Sequence, residues 1–213
     1  MEHITARILI ADDHPIFRSG VKHILCEEIK NIRIAEAPNA REAMRLVRTD
    51  DWDIVLLDIS MLSQNGLQVL KDIRSMRPRL PILMLSMESS DHLAVRAIAS
   101  GANGCLNKDC DPNQLTTAVQ KVLAGGKYVS EALATDLVFN FKLSSGGPVH
   151  QSLSDREFQI MLMIAAGTSL SQIATELALS AKTVSTYRAR LLVKMGMTSN
   201  AQVIRYAMKE QLI

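Results

Sequence analysis

Short apolar runs alternate with helix-spaced apolar positions over the first 127 residues of this 213-residue chain. Arg7–Ala11 (RILIA), Ile32–Glu36 (IRIAE), Asp53–Leu57 (DIVLL), Pro81–Ser86 (PILMLS) and Gly104–Asn107 (GCLN) read as strands. Between them, Ile16, Phe17, Val21, Ile24 and Leu25 share one helical face, as do Leu67, Leu70 and Ile73, and Leu93, Ala97 and Ile98. Leu115, Val119, Val122 and Leu123 mark a fifth helix. Strand alternating with helix predicts a five-stranded parallel sheet covered on both faces, the doubly wound, flavodoxin-like plan. The four consecutive apolar residues Ile54–Leu57 fit a strand buried on both sides. The pattern predicts an α/β domain over 1–127, ending near Gly125-Gly126.

Beyond Lys127 the period changes. Tyr128–Phe141 fits either a helix or a partly ordered arm, and Lys142–Ser152 (KLSSGGPVHQS) has a flexible linker's composition, so 128–151 is expected to connect two domains. Residues 152–213 are then expected to be all α, in four short helices at about Asp155–Ala166, Leu170–Ala178, Ala181–Met195 and Asn200–Lys209. Ser154 with Glu157, Ser169 with Gln172 and Ser199 with Gln202 each have capping-box spacing. Leu153 and Phe158 are placed as a hydrophobic staple around the first box, and Gly167 and Gly196 are helix stops.

Composition narrows the function classes. Three cysteines without a CxxC pair suggest neither a disulfide framework nor zinc, and nothing resembles a signal peptide or a membrane span, so a cytoplasmic protein without a membrane partner is expected. The eleven methionines read as core filler. Formal charge is only +2, but its distribution is uneven. Residues 1–127 carry 16 Lys/Arg against 16 Asp/Glu, whereas 149–213 carry 7 against 4. Lys182, Arg188, Arg190 and Lys194 fall in a stretch without an acid between Ser180 and Met195, which points toward nucleic acid.

The chemistry of the first domain lies at its strand ends. In an open parallel sheet, ligands bind outside the carboxyl ends of the strands. Asp12 and Asp13 follow the first strand, Asp58 the third, Ser86 ends the fourth and Lys108 follows the fifth. Carboxylates gathered on one rim repel one another unless a cation neutralises them, and oxygen donors of this kind suit Mg2+. A rigidly held Asp58 can then act as a nucleophile toward a phosphoryl group, with Lys108 and Ser86 contacting its other oxygens. Taken singly, an acidic pair after a strand more often caps a helix; the joint occurrence is what carries the reading.

Residues 7–126 resemble the receiver domain of two-component response regulators. The resemblance rests on the acidic pair in ILIADDHP, the aspartate in IVLLDISM, Asn65-Gly66, the hydroxyl in ILMLS and the lysine in GCLNK. It implies that Asp58 accepts a phosphoryl group from a sensor histidine kinase. It also implies that Asp12, Asp13, Asp58 and the Ser60 main-chain carbonyl hold Mg2+, and that Ser86 and Lys108 sense the phosphate. Two positions depart from the family pattern. Leu62 stands where proline is usual, and Cys105 where a Tyr or Phe commonly turns inward with the signal. Cys105 reads more simply as a small buried strand residue.

In the second half, Ile173, Ala174 and Leu177 are spaced to pack on Val184, Leu191 and Met195 across a tight turn at Ala178–Ser180. Lys182, Ser185, Thr186 and Ala189 then lie on another face, flanked by Tyr187 and Arg190, an arrangement that suits a helix-turn-helix reader of double-stranded DNA. Residues 152–211 resemble the LuxR-type DNA-binding domain throughout, at Leu153, Arg156-Glu157, Ile164-Ala165, Gly167, Ile173-Ala174, Leu177, Thr183-Val184, Lys194 and Ala201. Lys182, Thr183, Ser185, Thr186, Tyr187, Arg188, Arg190 and Lys194 are the expected DNA contacts. Many members carry Lys and His where Ser185 and Tyr187 stand, so base preference does not transfer.

The two halves together resemble NarL/FixJ-type response regulators. The resemblance implies a transcription regulator, not a turnover enzyme, that slowly hydrolyses its own phosphoryl group and forms a homodimer when phosphorylated. Two alternatives stay open on sequence. One is a DNA-binding protein whose receiver is a phosphorylation-independent dimerisation scaffold; the other is a Mg2+-dependent aspartyl-phosphate phosphatase.

Overall fold

A computed structural model describes residues 6–59, 61, 66–87, 91–129, 148–210 and 212–213. The chain forms two compact units, Met1–Leu137 and Val138–Ile213.

The first unit is a parallel sheet of β1 (Ala6–Ala11), β2 (Ile32–Ala37), β3 (Ile54–Asp58), β4 (Ile82–Ser86) and β5 (Gly104–Asn107), in the order β2-β1-β3-β4-β5. This is the doubly wound order that reverses direction beside β1 and β3. The connections are α1 (Pro15–Glu28), α2 (Ala40–Thr49), α3 (Gly66–Met76), α4 (Asp91–Ala99) and α5 (Pro112–Leu123). Ile8, Ile10, Ile54, Leu56, Leu83 and Leu85 form one core with Val21 and Leu25 of α1 and Leu115, Val119 and Val122 of α5. Strand alternation turns Leu9, Val55, Leu57 and Met84 to the opposite face, and all four are fully buried. Burial on both faces explains why these strands read as continuous apolar runs.

Local chemistry sets the helix starts. Asn39 accepts from the Glu42 amide to cap α2, Asp111 accepts from the Gln114 amide to cap α5, and α1 and α5 each carry a proline in the first turn. The unit does not stop at the Gly125-Gly126 break. The Tyr128 amide donates to the Asn103 carbonyl and the Cys105 amide to the Tyr128 carbonyl, which extends the pairing on β5 past the expected end at Lys127.

In the second unit a 3-10 turn at Val149–Ser152 precedes α6 (Asp155–Ala165), α7 (Leu170–Glu176), α8 (Ala181–Met195) and α9 (Asn200–Lys209). Composition alone places most of this turn in the linker. Instead His150 is buried, its ring nitrogen 2.9 Å from the Tyr206 hydroxyl and its ring against Phe158. The linker residues 130–147 lie outside the described residues. Two expected capping boxes form in full, at Ser154–Glu157 and Ser169–Gln172. The third forms by half. Ser199 accepts from the Gln202 amide, but the Gln202 side chain reaches back to the Thr198 amide. Leu153 and Phe158 are both buried beside the first box.

The turn between α7 and α8 holds Ala178 at φ 50°, a left-handed conformation that a Cβ resists. Ala178→Gly is therefore expected to stabilise this unit by about 0.5–1 kcal/mol, and Ala178→Val to destabilise it. Urea unfolding followed by far-UV circular dichroism reads both signs.

Candidate functional site

Strand register decides what meets at the sheet edge. Ala11 pairs with Leu57, Asp58 with Leu85 and Ser86 with Asn107, so β1, β3, β4 and β5 end level. Asp58 is the last residue of β3 itself, one residue beyond the strand end expected at Leu57. Its amide neighbour Ile59 donates to the Leu85 carbonyl, and the Lys108 amide to the Ser86 carbonyl. These bonds lock the residues that carry the chemistry to a buried scaffold. Gly66 closes the far side of the β3–α3 connection, where a Cβ would run into the Asp58 carbonyl and the Ile59 backbone. Ser60, Leu62 and Asn65 lie outside the described residues.

Asp12, Asp58, Ser86 and Lys108 are all buried. Lys108 Nζ sits 2.7 Å from Asp12 Oδ2 and 2.9 Å from Asp58 Oδ2, and 4.9 Å from the centre of the Phe17 ring. Asp13 joins through His14, whose Nδ1 lies 3.0 Å from Asp13 Oδ1 and 3.2 Å from Asp12 Oδ1. Donor atoms of Asp12, Asp13, His14 and Asp58 all lie within 4.8 Å of one another. Two buried carboxylates, Asp12 and Asp58, therefore share one ammonium, with partly buried Asp13 beside them, and the excess negative charge favours a divalent cation. The hard oxygen donors fit Mg2+.

Two contributors escaped the sequence reading. His14 stood in the quoted DDHP stretch without a role. Arg18 reaches back from α1 to donate to the Asp12 carbonyl at 2.6 Å, and its Nε lies 3.4 Å from Glu36. Arg18 thus fixes the main chain that presents the acidic pair. A helix-face pattern gives no sign of such a backward reach. Cys105 is buried in β5, as a small strand residue would be.

On α8 the expected DNA contacts divide. Lys182, Ser185, Thr186, Ala189 and Arg190 are exposed along one stripe, while Val184, Leu191 and Met195 are buried on the other side. Thr183 is engaged at the helix start, its hydroxyl 2.8 Å from that of Ser180. Arg188, half-buried, and Lys194, exposed, each have a partner within the protein. Arg188 Nε donates to Asn200 Oδ1 at 2.6 Å, and Lys194 Nζ to Glu157 Oε2 at 2.6 Å. Lys194 and Arg188, expected alongside Lys182 as DNA contacts, thus have head groups engaged by α6 or α9 partners. Tyr187 is half-buried on the flank. Arg156 bridges α6 to the turn by donating to the Leu177 carbonyl at 3.2 Å, and burial lowers its pKa.

Glu157 is nearly fully buried, and burial alone would raise its pKa. Hydrogen bonds from Lys194, the Ser154 amide and the Ser154 hydroxyl outweigh this and hold it below the usual 4.5. A lowered carboxyl pKa contributes stability above its unfolded value and loses it as pH falls through the folded one. The thermal midpoint of the second unit should thus fall between about pH 6 and about pH 3, and Glu157→Gln should lower the midpoint at the upper pH and flatten the slope. Scanning calorimetry of the full chain checks both.

Residues 8–120 match the family model of the response regulator receiver domain, and residues 151–207 that of the bacterial regulatory proteins of the luxR family. The chain is a response regulator of the NarL/FixJ type. It is 34% identical over 208 residues to the transcriptional activator protein ExaE of Pseudomonas putida, spanning 97% of each chain. It is 32% identical over 207 residues to the response regulator UvrY of Escherichia coli K12, spanning 96% of this chain and 94% of that one. The RcsB structure from Salmonella enterica serovar Typhimurium, bound to promoter rprA with the phosphomimetic BeF3−, superposes with a TM-score of 0.63. That match spans 94% of this response regulator and 97% of RcsB at 23% identity, and it speaks for the fold. The regulator thus joins a receiver domain to a LuxR-type DNA-binding domain. Among its described residues no helix is long and apolar enough to cross a membrane.

Proposed function

We propose that this response regulator is switched by phosphoryl transfer to Asp58 and that its active form binds DNA as a homodimer. The observation that carries the reading is the convergence of buried Asp58, Asp12 and Lys108 within ion-pair distance at the level ends of the strands. An Asp58 carboxylate oxygen attacks phosphorus; the O–P bond forms as the P–N bond of a sensor kinase's phosphohistidine breaks, and the imidazole keeps the electron pair. Lys108 supplies positive charge to the phosphoryl oxygens, and Ser86 stands at the end of the neighbouring strand to receive another. Asp12, Asp13, Asp58 and the Ser60 carbonyl would hold Mg2+, which when bound neutralises the charge that gathers on the phosphoryl oxygens.

The exposed stripe of Lys182, Ser185, Thr186 and Arg190 supports docking of α8 in the major groove. A symmetric dimer would place two such helices one DNA turn apart. We assign the chain to the cytoplasm, where a kinase and DNA are both within reach. Hydrolysis of its own phosphoaspartate would reset the switch without making it a turnover enzyme. A scaffold-only receiver is disfavoured because it gives no reason to bury two carboxylates on one lysine with a third beside them.

The test is solution mass by light scattering, with and without Mg2+ and beryllofluoride. Mass should double only when both are present, and Asp58→Asn should remain at the starting mass. An unchanged mass accompanied by unchanged DNA affinity would leave the scaffold reading in place.

A further inference from the structure

The acidic pocket contains a nitrogen donor that oxygen-only chemistry does not require. His14 Nδ1 lies 3.2 Å from Asp12 Oδ1, 3.0 Å from Asp13 Oδ1 and 3.9 Å from Asp58 Oδ2. Ligands about 2.1 Å from an octahedral centre stand about 3.0 Å apart when adjacent and about 4.2 Å when opposite. The imidazole nitrogen, at hydrogen-bond distance from Asp12 Oδ1, thus also stands at the spacing of an adjacent ligand from Asp12 and Asp13.

Backbone geometry keeps it there. His14 is the N-cap of α1 but makes no side-chain cap hydrogen bond, so its ring is turned to the acids rather than to the helix. Its amide donates to Asp12 Oδ1 at 2.7 Å, and Pro15 fixes the next turn. The ring is about half exposed, which leaves room for it to adjust by a fraction of an ångström.

We propose that His14, through Nδ1, is a fourth protein ligand of the pocket and gives this receiver a preference for a transition divalent cation such as Mn2+ over Mg2+. The proposal rests on the reading that Asp12, Asp13 and Asp58 hold a divalent cation. Imidazole gains most on the later first-row ions, and even Mn2+ accepts a nitrogen more readily than Mg2+, which keeps oxygen donors and several waters. Adding one nitrogen to three carboxylates leaves Mg2+ little better off and strengthens the transition ion.

Electron spin-echo spectroscopy of Mn2+ bound to the full chain provides the test. The wild-type protein should show nitrogen modulation from a directly bound imidazole, and His14→Ala should lose it. By competition, His14→Ala should bind Mn2+ at least about tenfold more weakly with Mg2+ affinity essentially unchanged. A wild-type Mn2+ spectrum without nitrogen modulation overturns the proposal while leaving the carboxylate site intact. Tighter binding of both ions by His14→Ala also overturns it, because the imidazole would then be a competitor for the pocket. If neither ion binds the wild-type chain, the cation reading itself fails and takes the proposal with it.

Discussion

Asp58→Asn is expected to abolish labelling by acetyl phosphate in the presence of Mg2+, with no phosphoryl group recovered on any peptide of the receiver domain. Asp58 ends a strand whose preceding four residues are fully buried, so its carboxylate has almost no freedom to move. Asp12 shares Lys108 with Asp58, but its Oδ1 also accepts from the His14 amide, which ties it to the turn into α1. Asparagine keeps the shape and the Ile59–Leu85 and Lys108–Ser86 backbone bonds, so the fold should persist. It does not keep the nucleophile. Near-UV circular dichroism separates loss of labelling from loss of structure, and peptide mapping locates any residual phosphate. Full labelling of a folded Asp58→Asn chain would show that another residue accepts the group.

The sheet could be read from sequence because its strands are buried on both sides and interrupted by helix-spaced segments. The level strand ends followed from the topology, which is why Asp12, Asp13, Asp58, Ser86 and Lys108 could be grouped before any coordinates. Side-chain partners from distant segments could not be read. Helical periodicity places Lys194 and Arg188 on α8 but says nothing of Glu157, 37 residues earlier, or Asn200 on the next helix. Both basic residues therefore looked available to DNA. The same blindness hid Arg18, whose target is a main-chain carbonyl, and His14, whose direction depends on a cap bond that does not form. Contacts across the expected domain limits escaped the sequence for a related reason. Gly125-Gly126 and the Ser/Gly/Pro stretch are local signals, while the pairing of Tyr128 with β5 and of His150 with Tyr206 is tertiary.

The division of basic residues on α8 leads to a quantitative expectation for DNA. Each phosphate neutralised by a protein cation contributes about 0.9 to the slope of log K against log salt. Lys182 and Arg190 are exposed on the stripe, and no ion pair among the described residues engages either. A dimer that loses both, as Lys182→Ala/Arg190→Ala, forfeits four such contacts, so the slope should flatten by about 3.6. At about 0.15 M salt that change corresponds to about a thousandfold loss of affinity. The phosphate contribution is independent of sequence, so an arbitrary duplex serves, titrated at low salt where the weakened variant still binds. Lys194→Ala provides the contrast. Its ammonium is held by Glu157, so the salt slope should stay at the wild-type value while the second unit loses thermal stability. The reverse outcome, an unchanged slope for the double variant and a flattened one for Lys194→Ala, would mean that DNA meets a different face of α8 from the one the exposed stripe presents.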